Sequence, residues 1–475
     1  MYTDRLIAFT RYSSVVLLVL VMSSCAKCTN AAEPLPRNVR AQATSSNQGA
    51  TRQPLTTSGK FVNPEAKGNK FSSTVEHASS SSESHDAEYF PVNHSNSYIG
   101  QPVCGCNRDC HGCRIGDIGD CCRRGTMESG YWMRAEYLLW SLDGIELPPL
   151  VATSGTGTLP VNTGVIGQAG TTVLFGGERV LDSMRSGLRL TLGWAHDSCG
   201  NGFEVSGMHI FNDDKLYTST ESLVARPVFD TFTASESSML VAHPSFLSGI
   251  VKVHVGNELS SIDINRRLRL SSCRCQTIDF LYGYRYGNLD EMLRVDQSSL
   301  YTAAQGQIIA GTSVDLFDQF KAVNHFHGAQ LGLHIQQTAG PTNLSLMAKL
   351  GLGVNNMETT INGQTTNMVP GGGSATFPGG LLAQTTNIGT YDESKFIVLP
   401  EIGLNITTLV DRNLRLTIGY NLMAWSNAAR VADAVDRSVS QFPPEPPSGT
   451  RNPAYESSTS SFFAQGLNVG AVLSF

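Results

Sequence analysis

The chain has 475 residues, 46 of them glycine, with 16% charged residues and a formal net charge of -6. An average soluble domain carries about 25% charged residues, so the composition argues against a charged helical bundle, and the acidic balance argues against a nucleic-acid-binding face. The strongest apolar run, Val15 to Met22, falls well short of the roughly 20 residues a transmembrane helix needs; a β-barrel stays open, because its spans are too short and too polar for hydropathy to register.

Arg5 and Arg11 precede the apolar run, and small residues follow it to Ala31 and Ala32. This is the layout of a secretory signal peptide, residues 1–32, with cleavage after Ala32 preferred over Ala26 or Ala31. Met22-Ser23-Ser24-Cys25 also weakly resembles a lipoprotein box, which would lipidate Cys25. Residues 33–102 show no sustained period and contain the run Ser79-Ser80-Ser81-Ser82. Such a segment buries too little apolar area to offset its ordering entropy, so a disordered tether is expected. Residues 103–124 hold Cys104, Cys106, Cys110, Cys113, Cys121 and Cys122, with His111 among them. Cys110-x-x-Cys113 could grip zinc. An exported chain meets an oxidising compartment, however, and the remaining spacing fits no zinc pattern, so disulfides are favoured and no metal is assigned. Their connectivity stays open.

From residue 130 to 475 the chain alternates. Tyr131, Met133, Ala135, Tyr137 and Leu139 share one face, while Arg134 and Glu136 share the other. That is the period of a strand. The rule returns in Gly187 to Trp194 (Arg189 on the polar side), Phe203 to Phe211 (Glu204), Ser261 to Leu270 (Asp263, Arg267), Ile278 to Gly287 (Asp279, Arg285) and Phe326 to Gln336. It continues in Leu344 to Asn355 (Lys349), Phe396 to Ile406 (Glu401), Leu414 to Trp425 (Arg415) and Phe463 to Phe475. Ten strands follow, with one or two more expected within 212–260, where Ile250 to Val255 is a candidate.

Charge sits near strand centres on one face, and aromatic residues near strand ends on the other. In a soluble sandwich the apolar face would be the core. Here the pattern suits a barrel with a lipid-facing exterior and a polar lumen, whose closure satisfies every strand edge. The expected connections sort by parity: 195–201, 271–276, 337–343 and 407–413 are short, whereas 141–186, 212–260, 288–325, 356–395 and 426–461 are long. Short turns at one end and long loops at the other are the bacterial barrel layout, with tether and C-terminus on the periplasmic side. The fold class is therefore all-β: an antiparallel up-and-down transmembrane β-barrel of about 10–12 strands, preceded by a disordered tether and a small Cys-rich segment. Cys199 falls in the first short turn, Cys273 and Cys275 in the second, so Cys199 is expected to pair with one of them.

Tyr131-Trp132-Met133-Arg134-Ala135-Glu136-Tyr137-Leu138-Leu139-Trp140, followed by Pro148-Pro149-Leu150-Val151, resembles the opening of the putative beta-barrel porin-7 family. Thr171 to Gly177, Gly187 to Gly193, Leu281 to Tyr286, Pro400 to Asn405, Gly419-Tyr420-Asn421 and Ala464 to Asn468 are similar to further stretches of that family. Arg430 to Asp436 departs from the Arg-Pro-Gly-like run expected there. The resemblance implies an outer-membrane barrel and pore activity, and it supplies no catalytic residues.

No Walker loop, His-Glu-x-x-His or Gly-x-Ser-x-Gly is present. Gly371-Gly372-Gly373 and Gly379-Gly380 lack a following helix, and His325 and His327 read as rim or lumen residues. No cofactor is expected, and the chain is not expected to be an enzyme. A barrel-embedded hydrolase ranks below both other readings. The first of these is a narrow porin-like channel whose lumen is lined by Arg134, Glu136, Arg189, Glu204, Asp263, Arg267, Asp279, Arg285, Lys349, Glu401 and Arg415, since charged rings select solutes. For these residues themselves the default reading is a structural ladder, opposite charges pairing across strands and fixing the register, with a selective constriction as the alternative. The second reading is a barrel anchor displaying long loops, with the N-terminal segment engaging periplasmic or cell-wall material. Outer-membrane lipid is the expected partner, and nucleic acid is not.

Overall fold

A computed structural model of the chain describes residues 130–196, 200–272, 276–445 and 451–475. The expected signal peptide and tether and the Cys-rich segment lie outside the described residues, as do Cys25, Cys199, Cys273 and Cys275 and the pairing expected between the last three.

Ten strands form the barrel: β1 Gly130–Leu142, β2 Met184–Ala195, β3 Gly202–Thr218, β4 Leu247–Ser272, β5 Gln276–Tyr301, β6 Ser313–Ala339, β7 Thr342–Val369, β8 Gly389–Leu409, β9 Leu414–Ala428 and β10 Ser460–Ser474. Each pairs antiparallel with its neighbours in sequence, and β10 returns to β1 with Tyr137 opposite Val469. The ten strands thus close into a ring, as lipid requires, and Gly373–Pro378 adds a short further strand to the upper end of β7.

Outward residues are predominantly apolar over the lower part of the strands, with Arg266 of β4, stacked over Phe203, a charged exception. Leu190 is 46% exposed and Val469 53%, whereas inward Asp263 is 4% and Arg285 2% exposed. This is the reverse of a soluble core. On β7 the outward series Leu344, Leu346, Ala348, Leu350, Leu352 and Val354 covers about 25 Å at the roughly 45° tilt of a barrel strand. That matches the apolar band of an outer-membrane barrel.

The upper halves of the long strands were not legible as strands. Residues 288–301, 313–325 and 356–369 were expected in loops, yet they continue β5, β6 and β7, which reach 26 to 28 residues. Ile250 to Val255 is not an additional strand but the upper part of β4. The alternation keeps its phase there and reverses its polarity. On β4 the inward Asp263, Asn265 and Arg267 give way to inward Val251, Val253 and Val255, and outward Ile262 and Ile264 give way to outward Lys252, His254 and Glu258. Below the reversal the outside is lipid. Above it the pattern is that of a wall with water outside and protein within.

Five connections meet at that upper end and fold into a cap. The short strands Val151–Thr153, Thr172–Phe175, Val224–Asp230, Ser235–Ala242 and Ser438–Val439 form one small sheet, and Ile145–Glu146 pairs with Arg179–Val180. The extra strands expected within 212–260 are therefore the 224–242 hairpin, and it belongs to the cap. Val151, Phe175, Val228 and Val241 share one apolar core with Val253, Val295, Phe320 and Ile361 of the barrel wall. The departure at Arg430 is explained here. Buried Arg430 donates to Glu291 Oε1 at 2.7 Å and to the carbonyls of Asp143 and Gly144, and Val431–Ala434 turns as a short 3-10 helix. At the opposite end the connections are short, as at Gly340–Pro341, so the predicted parity holds.

Candidate functional site in the barrel lumen

All eleven charged residues assigned to the lumen face inward. Most of them join one network. Arg285 lies opposite Asp263 in the ladder and donates to it from Nε at 2.6 Å and from a terminal nitrogen at 2.9 Å. It also reaches across the lumen to Glu401. Arg189 donates to the other oxygen of Glu401 at 3.3 Å. Lys349 donates to Asp263 at 3.1 Å and stands 3.9 Å from Glu204, which Arg267 approaches to 3.2 Å. Arg267 and Arg269 both face Asp279, with His334 at 3.7 Å from the same carboxylate.

Neutral amides carry the network round the rest of the barrel. Trp140 Nε1 donates to Asn468 at 3.0 Å, Asn468 to Asn421 at 2.9 Å, and Asn421 to Glu401 at 3.2 Å. Gln330 donates to Asn265 at 2.8 Å, and Asn265 to Glu204 at 3.4 Å. Side chains from all ten strands are thereby joined through the interior. Buried ions need such partners, because desolvation otherwise outweighs their attraction.

Arg134, Glu136 and Arg415 face the same lumen but stand apart. None of the three has an ion pair or hydrogen bond among the described residues.

Directly above lies an apolar plate of Leu138, Trp140, Met208, Leu259, Leu289, Phe326, Leu399, Trp425 and Phe462. Phe326 meets Trp425 edge to face at 6.1 Å. Its ring occupies the space that a side chain at Gly328 would take, so that position must stay bare for the plate to close, and it crowds Gly351 as well. Above the plate the cap core fills the wall, and Asp318 fixes it there. This carboxylate pairs with buried Arg226 and accepts the backbone N–H groups of Leu382 and Ala383 at 2.9 and 2.8 Å.

The amides Asn265, Gln330, Asn421 and Asn468, together with Trp140, His334 and Arg269, are members that charge patterning alone did not select. Their parity with the charged positions was the available signal. His325 and His327 point outward at the upper edge of the apolar band, where they accept or donate hydrogen bonds with Tyr286 at 2.9 Å and Tyr284 at 2.7 Å. No group of three or more metal-ligating side chains occurs among the described residues.

The family profile described as Putative beta barrel porin-7 (BBP7) matches residues 132–475. The chain belongs to this family. Its match begins at Trp132, two residues into β1, and runs through the whole barrel and cap to Phe475. No curated protein matches the sequence. Among solved structures the chain is similar to the outer membrane protease OmpT from Escherichia coli, at 8% identity and a TM-score of 0.35, over 74% of this chain and 98% of that one. It is also similar to the toluene transporter TodX from P. putida, at 7% identity and a TM-score of 0.17, over 74% and 91%. A Pseudomonas aeruginosa FadL homologue gives 8%, 0.19, 74% and 90%.

Proposed function

We propose that this BBP7 barrel is a closed outer-membrane anchor carrying a rigid cap, not a diffusion pore. The observation that carries the reading is the filling of the lumen by three stacked layers: ion pairs, apolar plate and cap core. Ten strands enclose little more than the eight whose interior side chains can fill, and here large side chains meet across the middle. The ionic residues read as the structural ladder, since most of them are engaged with one another. The sorting of the connections supports an orientation with the cap outside the cell, and with the short turns, the C-terminus and the Cys-rich segment on the periplasmic side. The reading includes no catalytic role.

Planar-bilayer recording tests it. Protein shown to be folded by heat-modifiable migration is expected to give no reproducible conductance. Steady ohmic steps that change with Arg285→Ala or Glu401→Ala would support the porin-like reading instead.

A further inference from the structure

Among the described residues the lower lumen carries seven cationic side chains, Arg134, Arg189, Arg267, Arg269, Arg285, Lys349 and Arg415, against five carboxylates. Five of these cations and four of the carboxylates are engaged with one another, whereas Arg134 and Arg415, at the mouth opposite the cap, and Glu136 have no ion-pair partner among the described residues. The ladder brings these two residues together: Val472 of β10 lies opposite Arg134 of β1 on one side and opposite Arg415 of β9 on the other. Two strand spacings separate them, about 10 Å, so two long side chains facing the lumen can converge on one group. Arg134 also has a fully buried Nε without a hydrogen-bond partner.

The floor beside Arg134 is built. Trp132 lies flat over Gly193, where any side chain would collide with the indole at 2.0–2.3 Å. Arg134 and Arg267 stand over that ring at 5.9 and 5.6 Å. Glu136 sits one inward step deeper, level with Arg189, and makes no ion pair with Arg134. The guanidinium fork matches an oxyanion with two parallel hydrogen bonds.

We propose that Arg134, backed by the Trp132 ring, and Arg415 form an oxyanion site at the mouth opposite the cap. Its ligand is a carboxylate or phosphate group presented from that side of the membrane. The site does not depend on whether the lumen conducts, because it lies below the layers that fill it.

The test titrates the full-length protein, folded in non-ionic detergent micelles, with inorganic phosphate and separately with N-acetyl-dialanine. Saturable binding of either probe is expected. Arg134→Gln and Arg415→Gln should each weaken it at least tenfold, whereas Arg179→Gln at the cap end should leave it unchanged. Binding of phosphate alone identifies a phosphoryl ligand, and binding of the peptide alone a carboxylate. Heat-modifiable migration reports folding. Should Arg134→Gln fail to fold, Arg415→Gln decides, since it lies at the rim and removes no partner of the buried network. Absence of saturable binding to both probes, or equal binding in wild type and the folded glutamine variants, overturns the proposal.

Discussion

Replacing Arg285 with methionine probes the ionic layer most directly. Its side chain is only 3% exposed, and it bridges Asp263 of β4 and Glu401 of β8 from its own place on β5. Methionine retains much of the volume but leaves two buried carboxylates without their shared cation. Lys349 still faces Asp263, and Arg189 still faces Glu401, so both acids keep one partner each. Breaking a buried pair by removing one member costs about 3–5 kcal/mol. At a urea slope of about 3 kcal/mol per molar, the unfolding midpoint falls by roughly 1–1.7 M. The double variant Arg285→Met, Asp263→Asn removes one of the two carboxylates as well while leaving Lys349 beside Glu204 and Arg189 beside Glu401, and should recover part of the loss, because fewer buried charges are left short of a partner. Urea unfolding in micelles, followed by tryptophan fluorescence and by gel mobility without boiling, measures both. A single variant within about 1 kcal/mol of wild type, or a double variant no better than the single, would refute the buried-network account and imply a hydrated lumen.

Leu350→Arg places a cation at the middle of the lipid-facing band and should destabilise the barrel in liposomes by about 2–4 kcal/mol. Thr360→Arg, on the same face of β7 but above the polarity reversal, should stay within about 1 kcal/mol; equal effects at the two positions would contradict the assigned band. Asp318→Ala strands Arg226 in the cap core and frees two backbone N–H groups of the 370–388 connection. Limited proteolysis should then cut that connection while heat-modifiable migration persists, and an uncut cap would show that Asp318 is not what holds it.

How much could be read in advance depended on the range of the signal. Ten strands, their parity and the inward faces of Arg134 through Arg415 were legible because alternation is a local property of the backbone: side chains two apart share a face in any pleated strand. The lower halves of the strands also meet lipid, which imposes one polarity throughout. The upper halves were misread as loops for a physical reason. Their alternation persists, but with water outside and cap inside the apolar residues turn inward, so β5 beyond Tyr286 no longer resembles its own lower half.

Strand number alone points to a narrow or plugged lumen, but which side chains fill it was beyond the sequence. Trp140 meets Asn468 across 328 positions, and Arg285 meets Glu401 across 116. Nothing local distinguishes a charge that lines water from one that locks onto a partner on the far wall. The sequence determined by itself that this chain makes a closed antiparallel wall, greasy outside and polar within its lower half. Only the tertiary structure decided that the interior is occupied, because that depends on which distant side chains barrel closure brings within hydrogen-bond reach of one another.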